Sequence, residues 1–262
     1  MDNVCLPSYL FIMYSNEGRY VHGGAWRDPA IASLSFEPAM KALWESPMGY
    51  RIEGFASLNY RLSPYPAHPE DPSSPEDSSR NVQYPDHLLD VEKGLLYLDK
   101  HYHISSRYVL VGHSAGATMA FELHNAMLPV PAVVLGIAGI YDIEAFVENH
   151  SEMPAYREII ESAFGKDRSV WERASPYKNR LPDHAVWEGA RAIIITHSDQ
   201  DEMVEEAQSS SFYISLTDKF KARVHFLKAS GNHDEIWQNG KILARLVTQS
   251  IETWCNIKGD YR

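Results

Sequence analysis

Ser114 stands at the centre of the run 112–116, which reads Gly-His-Ser-Ala-Gly and has the spacing of a serine nucleophile on a sharp turn. Residues 108–111 before it predict a short buried strand, and residues 115–128 after it predict a helix that Pro129 ends. A strand-to-helix turn this sharp leaves little room for side chains beside the serine, which explains the two glycines. The pattern therefore predicts Ser114 as the nucleophile of an acyl-transfer reaction.

A second glycine-rich run lies upstream and reads His22-Gly23-Gly24-Ala25-Trp26. Backbone N–H groups in such a loop can face the negative oxygen that develops when a serine attacks a carbonyl group. We expect the N–H groups of Gly24 and Ala25, together with that of Ala115, to form this oxyanion hole. Taken alone, the run is equally compatible with a plain tight turn, but its position upstream of Ser114 favours the oxyanion hole.

A serine hydroxyl also needs a base to accept its proton. Of the twelve histidines, His184, His197, His225 and His233 lie well past the serine. Three of these are less suitable as the base. His225 falls within a predicted strand and His184 lies in an irregular stretch. His197 stands at a strand end, before any suitable acid. His233 lies in the polar loop 230–234 between the last predicted strand and the last predicted helix, so we predict that it is the catalytic base.

The acid that orients this base should follow the strand predicted at 192–196. Asp199 and Asp201 both satisfy this condition. We prefer Asp201, because it stands just before the next predicted helix, and we expect Asp199 to cap or brace the loop. Asp142 is an outside alternative, since it follows an earlier strand-like run.

The elements that must position these residues alternate between strand and helix, which indicates a mostly parallel sheet flanked by helices. Further strands are predicted at 51–60, 132–137 and 223–227, further helices at 86–103, 203–220 and 241–254, and an exposed loop at 62–85.

We expect one α/β domain over residues 1–262. Residues 143–190 form a helical insertion that is either a cap over the site or ordinary surface helices. The run 15–21 contains Asn, Glu and Gly, which disfavour a central strand, so we also expect shortened or altered N-terminal strands.

Composition narrows the function classes. The net charge of −11 argues against a nucleic-acid partner, because phosphate binding needs a basic face. Two cysteines form neither a disulfide framework nor a metal-ligand spacing, and the chain has no dinucleotide or P-loop signature, so we predict no metal and no cofactor. We find no secretory leader and no run of about 20 apolar residues, which favours a cytoplasmic protein without a membrane anchor.

Six segments together resemble the fungal kynurenine formamidases, also called arylformamidases, of the α/β-hydrolase superfamily. They are HGGAWRDP at 22–29, NYRLSP at 59–64, GHSAGAT at 112–118, GIYD at 139–142, HSDQDEMV at 197–204 and NHDEIWQNGK at 232–241. The resemblance implies an α/β-hydrolase fold and hydrolysis of N-formyl-L-kynurenine to L-kynurenine and formate, a step of tryptophan catabolism and NAD biosynthesis. It assigns Ser114 as nucleophile, Asp201 as acid, His233 as base and the HGGxW loop as oxyanion hole, and it allows a homodimer.

Two alternatives stay open at this point. The same residues would serve a carboxylesterase that acts on small acyl groups. The altered N-terminal run is also compatible with a catalytically impaired hydrolase scaffold that binds a small ligand.

Overall fold

Parallel β-strands form the centre of the computed structural model, which describes residues 21–178 and 185–259. Within these residues four strands lie side by side in the order β1-β2-β3-β4. Their bounds are β1 Val109–His113, β2 Val133–Ile137, β3 Ala192–His197 and β4 Val224–Lys228. On the other side of β1, Val21 forms a single parallel bridge to Gly112. The sheet therefore continues towards the glycine-rich loop that begins at His22.

Helices cover both faces of the sheet. They are α1 Glu37–Trp44, α2 Asp86–Tyr102, α3 Ala115–Glu122, α4 Ile143–Asn149, α5 Pro154–Phe164, α6 Arg168–Arg173, α7 Glu206–Phe220, α8 Glu235–Gln238 and α9 Gly240–Gly259. None of the helices in the described ranges is both long and apolar enough to span a bilayer. The predicted α/β class with a mostly parallel sheet is confirmed.

Both faces of the sheet are buried under helices, and the strands are apolar on both faces. Val133 and Leu135 of β2 belong to the core packed with α1 and α9, whereas Val134 between them belongs to the core packed with α2, α3 and α7. Because successive side chains point to opposite faces, a strand covered on both sides must be apolar throughout. The apolar runs at 132–137 and 192–195 therefore lie in the strands of the sheet centre.

The prediction of a strand at 51–60 is wrong. Ile52 makes an isolated bridge, and residues 53–61 have no regular secondary structure. The alternating apolar residues are nevertheless buried, since Phe55 packs into one core and Leu58 and Tyr60 into the other. Burial on two sides, rather than pairing with a neighbouring strand, produced the strand-like pattern.

Three predicted helix boundaries are also wrong, and one of them is the end of the helix expected over 241–254, which runs from Gly240 to Gly259. The helix expected over 115–128 ends at Glu122, because Leu123 is extended and its carbonyl accepts a hydrogen bond from the Val186 N–H group. The helix expected from residue 203 begins at Glu206. The predicted loop at 62–85 and the helix beginning at residue 86 are confirmed. The prediction about strands in the N-terminal run falls largely on residues 1–20, and that about His184 falls on 179–184, so both lie outside the described residues.

Candidate active site

Ser114 lies at the turn between β1 and α3, and the turn is strained. Its φ and ψ are 53° and −122°, in a region that non-glycine residues rarely adopt and that costs about 1–3 kcal/mol. Its N–H group donates to the carbonyl of Ile137 at the end of β2, 2.8 Å away. A Cβ atom at Gly112 would collide with the carbonyl of Gly116, and one at Gly116 with the carbonyl of Val21. Close backbone approach therefore requires the two glycines.

The glycine-rich loop passes directly beside this turn. A Cβ atom added at Gly23 would lie 3.1 Å from the Cβ atom of Ser114. The next three residues, Gly24, Ala25 and Trp26, all have positive φ, at 82°, 50° and 59°. In the described part of the chain, no hydrogen bond occupies the backbone N–H groups of Gly24 and Ala25. This loop therefore brings donors close to the serine.

Tyr60 holds the loop from behind. Its hydroxyl donates to the carbonyl of Gly23 at 2.8 Å and approaches that of His22 at 3.1 Å. Its ring stacks on the imidazole of His22 with ring centroids 4.3 Å apart. Burial lowers the pKa of His22 to about 4, which keeps this side chain neutral near pH 7. Tyr60 stands in the NYRLSP segment, but its bracing contact could not be read from sequence.

Asp201 and His233, predicted from separate loops, are in direct contact. Asp201 Oδ2 accepts a hydrogen bond from His233 Nδ1 at 2.8 Å, and both side chains are buried. Asp201 Oδ1 accepts the N–H groups of Met203 and Val204, each at 2.9 Å. These two N–H groups thereby hold the carboxylate of Asp201 in place.

The electrostatics keep Asp201 ionised. Burial alone would raise the pKa of its carboxyl group, but the hydrogen bond and charge of His233 and the two backbone N–H groups outweigh burial. The net result is a pKa below the ordinary value. A buried carboxylate with this set of donors can orient an imidazole and stabilise its protonated form.

The residues on either side of Asp201 also form hydrogen bonds to the loop that carries His233. Gln200 Oε1 accepts the N–H group of Gly231 at 2.9 Å, and Glu202 Oε2 accepts the N–H group of His233 itself at 3.1 Å. Sequence reasoning missed both contacts. The run 200–202 reads as three polar loop residues, and only the fold shows that all three bond to the same neighbouring loop.

The structure separates the alternative acids from His233. Asp199 is half exposed and forms an ion pair with Lys228 at 2.9 Å. Asp142 caps α4 by accepting the N–H group of Ala145 and pairs with Lys178 at 3.2 Å. Asp201 is thus the candidate acid that reaches the base.

The alternative bases are placed differently. His197 lies 3.6 Å from Asp201, but its ring nitrogens bond to the Ser209 hydroxyl and the Val204 carbonyl, each at 2.8 Å. His225 lies within β4, as expected of a strand residue.

Helices α4, α5 and α6 occupy much of the predicted insertion at 143–190. Asn149 donates to Glu205 at 2.9 Å, which ties the insertion to the start of α7. Asp142, the residue just before the insertion, donates its N–H group to Gln208 of α7 at 2.8 Å. Burial raises the pKa of Tyr156 on α5, and the negative charges of Asp201, Glu202 and Glu205 add to the effect. The ring of Tyr156 stacks on that of His150, which lies 3.8 Å from Glu205, so α5 approaches the segment that follows Asp201.

Metal chemistry has no evident donor set here. Among the residues that the structure describes, no three His, Cys, Asp or Glu side chains converge in a way that could hold a metal ion.

Comparison with known proteins places this arrangement in a family. Residues 85–241 match the model of the prolyl oligopeptidase family. A kynurenine formamidase-like hydrolase, fscH, of Fusarium equiseti is 35% identical over 88% of this chain and 81% of its own length. Kynurenine formamidase avaC of Aspergillus versicolor is 35% identical over 84% of this chain and 82% of its own. The chain belongs to the kynurenine formamidase family. It is a hydrolase, and the predicted resemblance is confirmed.

Solved structures agree on the fold of this kynurenine formamidase family member. An esterase/lipase from an uncultured bacterium superposes with a TM-score of 0.65 at 15% identity, over 97% of this chain and 79% of its own. An acetyl ester-xyloside bifunctional hydrolase from Caldicellulosiruptor lactoaceticus superposes with a TM-score of 0.59 at 18% identity. The match covers 95% of this chain and 86% of its own. At these identities the likeness concerns the fold, and it confirms the predicted α/β-hydrolase class.

Proposed function

We propose that this chain hydrolyses N-formyl-L-kynurenine to L-kynurenine and formate, with Ser114 as nucleophile, His233 as base and Asp201 as acid. The observation that carries the proposal is the 2.8 Å contact between His233 Nδ1 and Asp201 Oδ2 in a chain whose Ser114 occupies a strained turn. The 35% identity to a kynurenine formamidase and to a kynurenine formamidase-like hydrolase supports the choice of substrate.

The reaction begins with the formation of a tetrahedral intermediate on Ser114. Because a carboxylate only accepts hydrogen bonds, His233 carries its proton on Nδ1, which leaves Nε2 as the base. His233 removes the hydroxyl proton as Ser114 attacks the formyl carbon. The N–H groups of Gly24, Ala25 and Ala115 stabilise the oxyanion, and such donors each contribute about 10²–10³-fold in rate.

Collapse of this intermediate forms the acyl-enzyme, and hydrolysis of the acyl-enzyme completes the reaction. His233 gives its proton to the aniline nitrogen as the C–N bond breaks, so that L-kynurenine leaves and a formyl-serine remains. Water then attacks the formyl carbon, and His233 again accepts the proton. Formate departs, and Ser114 regains its proton.

Selectivity must come from outside the formyl group, because a group this small offers little binding energy. We propose that the insertion at 143–190 acts as a cap that contributes this selectivity, since Tyr156 of α5 stacks on His150, which lies 3.8 Å from Glu205 near Asp201. Trp26 does not serve this purpose, because its side chain is buried and packs edge-on against Phe164 at 4.9 Å.

The wider setting follows from the family and the composition. We propose a cytoplasmic homodimer in tryptophan breakdown that needs neither cofactor nor nucleic acid, consistent with two cysteines and a net charge of −11. Sedimentation analysis tests the assembly, and fluorescence of a tagged full-length chain in its own cell tests the location.

An esterase that acts on small acyl groups is the second candidate, supported by the fold shared with esterases. The test compares kcat/KM for N-formylkynurenine, N-acetylkynurenine and p-nitrophenyl acetate. We expect N-formylkynurenine to be preferred over both. A p-nitrophenyl ester that is hydrolysed far better than N-formylkynurenine would establish the esterase instead.

A further inference from the structure

We propose that Arg27 and Glu158 form a latch through which α5 of the insertion positions the oxyanion loop. We call this pair the loop–helix latch. The inference rests on the proposed function to the extent that Ser114 attacks a carbonyl group whose oxygen is stabilised by residues 23–25.

The latch joins two distant parts of the chain. Arg27 Nη1 lies 3.0 Å from Glu158 Oε1. The Arg27 side chain is only 8% exposed, and its guanidinium also lies over the ring of Tyr65, 4.0 Å from the centroid. Arg27 is therefore held in one place, unlike an ordinary surface arginine. Glu158 is 61% exposed, so it can be changed without disturbing a core.

A second contact from α5 reaches the same loop. The ring of Trp26 packs edge-on against Phe164, the last residue of α5. The carbonyl of Trp26 accepts the N–H group of Ser63 at 2.8 Å. The outer half of the loop thus depends on α5 and on the segment 63–65, whereas Tyr60 supports only its inner half.

The loop needs this external support because its backbone is strained. Ala25 and Trp26 both have positive φ without being glycine, a conformation that persists only when the surroundings enforce it. The carbonyl of Gly24 accepts the N–H groups of Arg27 and Asp28, each at 2.9 Å. The turn that presents the N–H groups of Gly24 and Ala25 therefore ends at the latch arginine, and a shift of Arg27 moves those donors.

The same helix also borders the acid side of the site. Tyr156 of α5 stacks on His150 with ring centroids 4.0 Å apart, and His150 lies 3.8 Å from Glu205 next to the acid loop. One helix of eleven residues thus touches the oxyanion loop with Glu158 and Phe164 and approaches the acid loop with Tyr156. We infer that Arg27 and Glu158 are positioning residues for the oxyanion hole.

The test is Glu158→Gln in the full chain, with Glu161→Gln as its matched control. Glu161 lies on the same helix, pairs with Arg157 and Lys166 at 3.8 Å and 3.9 Å, and its substitution changes the net charge equally. Two activities are measured, on N-formylkynurenine and on p-nitrophenyl acetate. Inhibition is measured with phenylboronic acid, which forms a tetrahedral adduct with an active serine, and with L-kynurenine, which does not.

We expect Glu158→Gln to lower kcat/KM about tenfold on both substrates, because small misplacement of catalytic groups is costly. The inhibition constant of phenylboronic acid should rise in proportion, and that of L-kynurenine should stay unchanged. A merely structural role would not separate the two inhibitors. The kcat/KM of Arg27→Lys, which keeps the charge, should lie between that of the wild type and that of Arg27→Met.

Equal kcat/KM values and equal inhibition constants for Glu158→Gln and Glu161→Gln would overturn the proposed latch. A wild type that hydrolyses p-nitrophenyl acetate but not N-formylkynurenine would refute the proposed substrate, and the ester would still test the latch. A wild type that hydrolyses neither substrate and does not bind phenylboronic acid would overturn both proposals.

Discussion

His113 Nε2 lies 3.1 Å from the backbone carbonyl oxygen of His233, and the centroids of the two imidazole rings are 4.6 Å apart. Because a carbonyl oxygen only accepts, Nε2 of His113 carries the proton. A Cβ atom at Gly23 would lie 3.0 Å from His113 Nδ1. His113, the residue before Ser114, therefore lies against both the loop that carries His233 and the glycine-rich loop at 22–26.

Replacing His113 with Leu should loosen His233. The buried carbonyl of His233 would lose its donor, which costs about 1–3 kcal/mol. We expect kcat/KM for N-formylkynurenine to fall about tenfold as the base loses its fixed position. Urea unfolding and steady-state kinetics measure the two effects. Full activity per folded molecule in His113→Leu would show that this contact does not position the base, and exposed His101→Gln is the control.

The acid assignment predicts a large contrast between two neighbouring residues. Asp201→Asn should lower kcat about 10³–10⁴-fold, because the amide no longer holds the required tautomer of His233 or stabilises its protonated form. Asp199→Asn removes only an exposed ion pair with Lys228, so activity should stay within about twofold. A greater loss at Asp199 than at Asp201 would refute the assignment.

Tyr60→Phe should impair catalysis more than it impairs folding. The change removes the hydroxyl that holds the carbonyls of His22 and Gly23, so we expect kcat to fall about tenfold. Tyr108→Phe is the matched control, because its buried hydroxyl donates to the carbonyl of Pro129 at 2.8 Å. Both variants should lose about 1 kcal/mol in urea unfolding. Equal activities of the two variants would contradict the bracing role.

Acid should destabilise the protein through two buried histidines. Burial lowers the pKa of His22 and of His87 from 6.5 to about 4. Between these values the unfolded chain binds more protons than the folded one, so stability is complete above pH 6.5 and falls as pH drops towards 4. Each histidine should cost about 2 kcal/mol at pH 5, measured as the free energy of unfolding in urea.

The matched variant for this effect is His87→Gln, in which one of the two groups no longer titrates. Its free energy of unfolding at pH 7 should be lower, because the contact with the Ser63 hydroxyl at 2.8 Å changes. The decline between pH 7 and pH 5 should be shallower than in the wild type. An unchanged slope would show that His87 does not contribute to it.

Local signals in the sequence predict much of this fold and site. Gly112 and Gly116 mark the turn at Ser114 because backbone atoms approach too closely for any side chain. The apolar runs in β2 and β3 mark strands covered on both faces. Signals of this kind depend on a few neighbouring residues, so they are readable from the chain alone.

The features of the fold and site that could not be predicted depend on contacts between segments far apart in the chain. The run 51–60 alternates like a strand because its side chains enter two cores, and no local feature distinguishes this from pairing. The choice of Asp201 over Asp199 depends on which carboxylate reaches His233 across the fold. Likewise, Arg27 and Glu158 are 131 positions apart, and nothing local indicates their contact.

Incubation of N-formylkynurenine with the wild type and with Ser114→Ala, with formate and L-kynurenine measured together, tests the central claim most directly. The wild type should release the two products in equal amounts, and Ser114→Ala should be slower by about 10⁴-fold or more. An inactive wild type, or a Ser114→Ala variant that retains wild-type turnover, would contradict hydrolysis of N-formylkynurenine through Ser114.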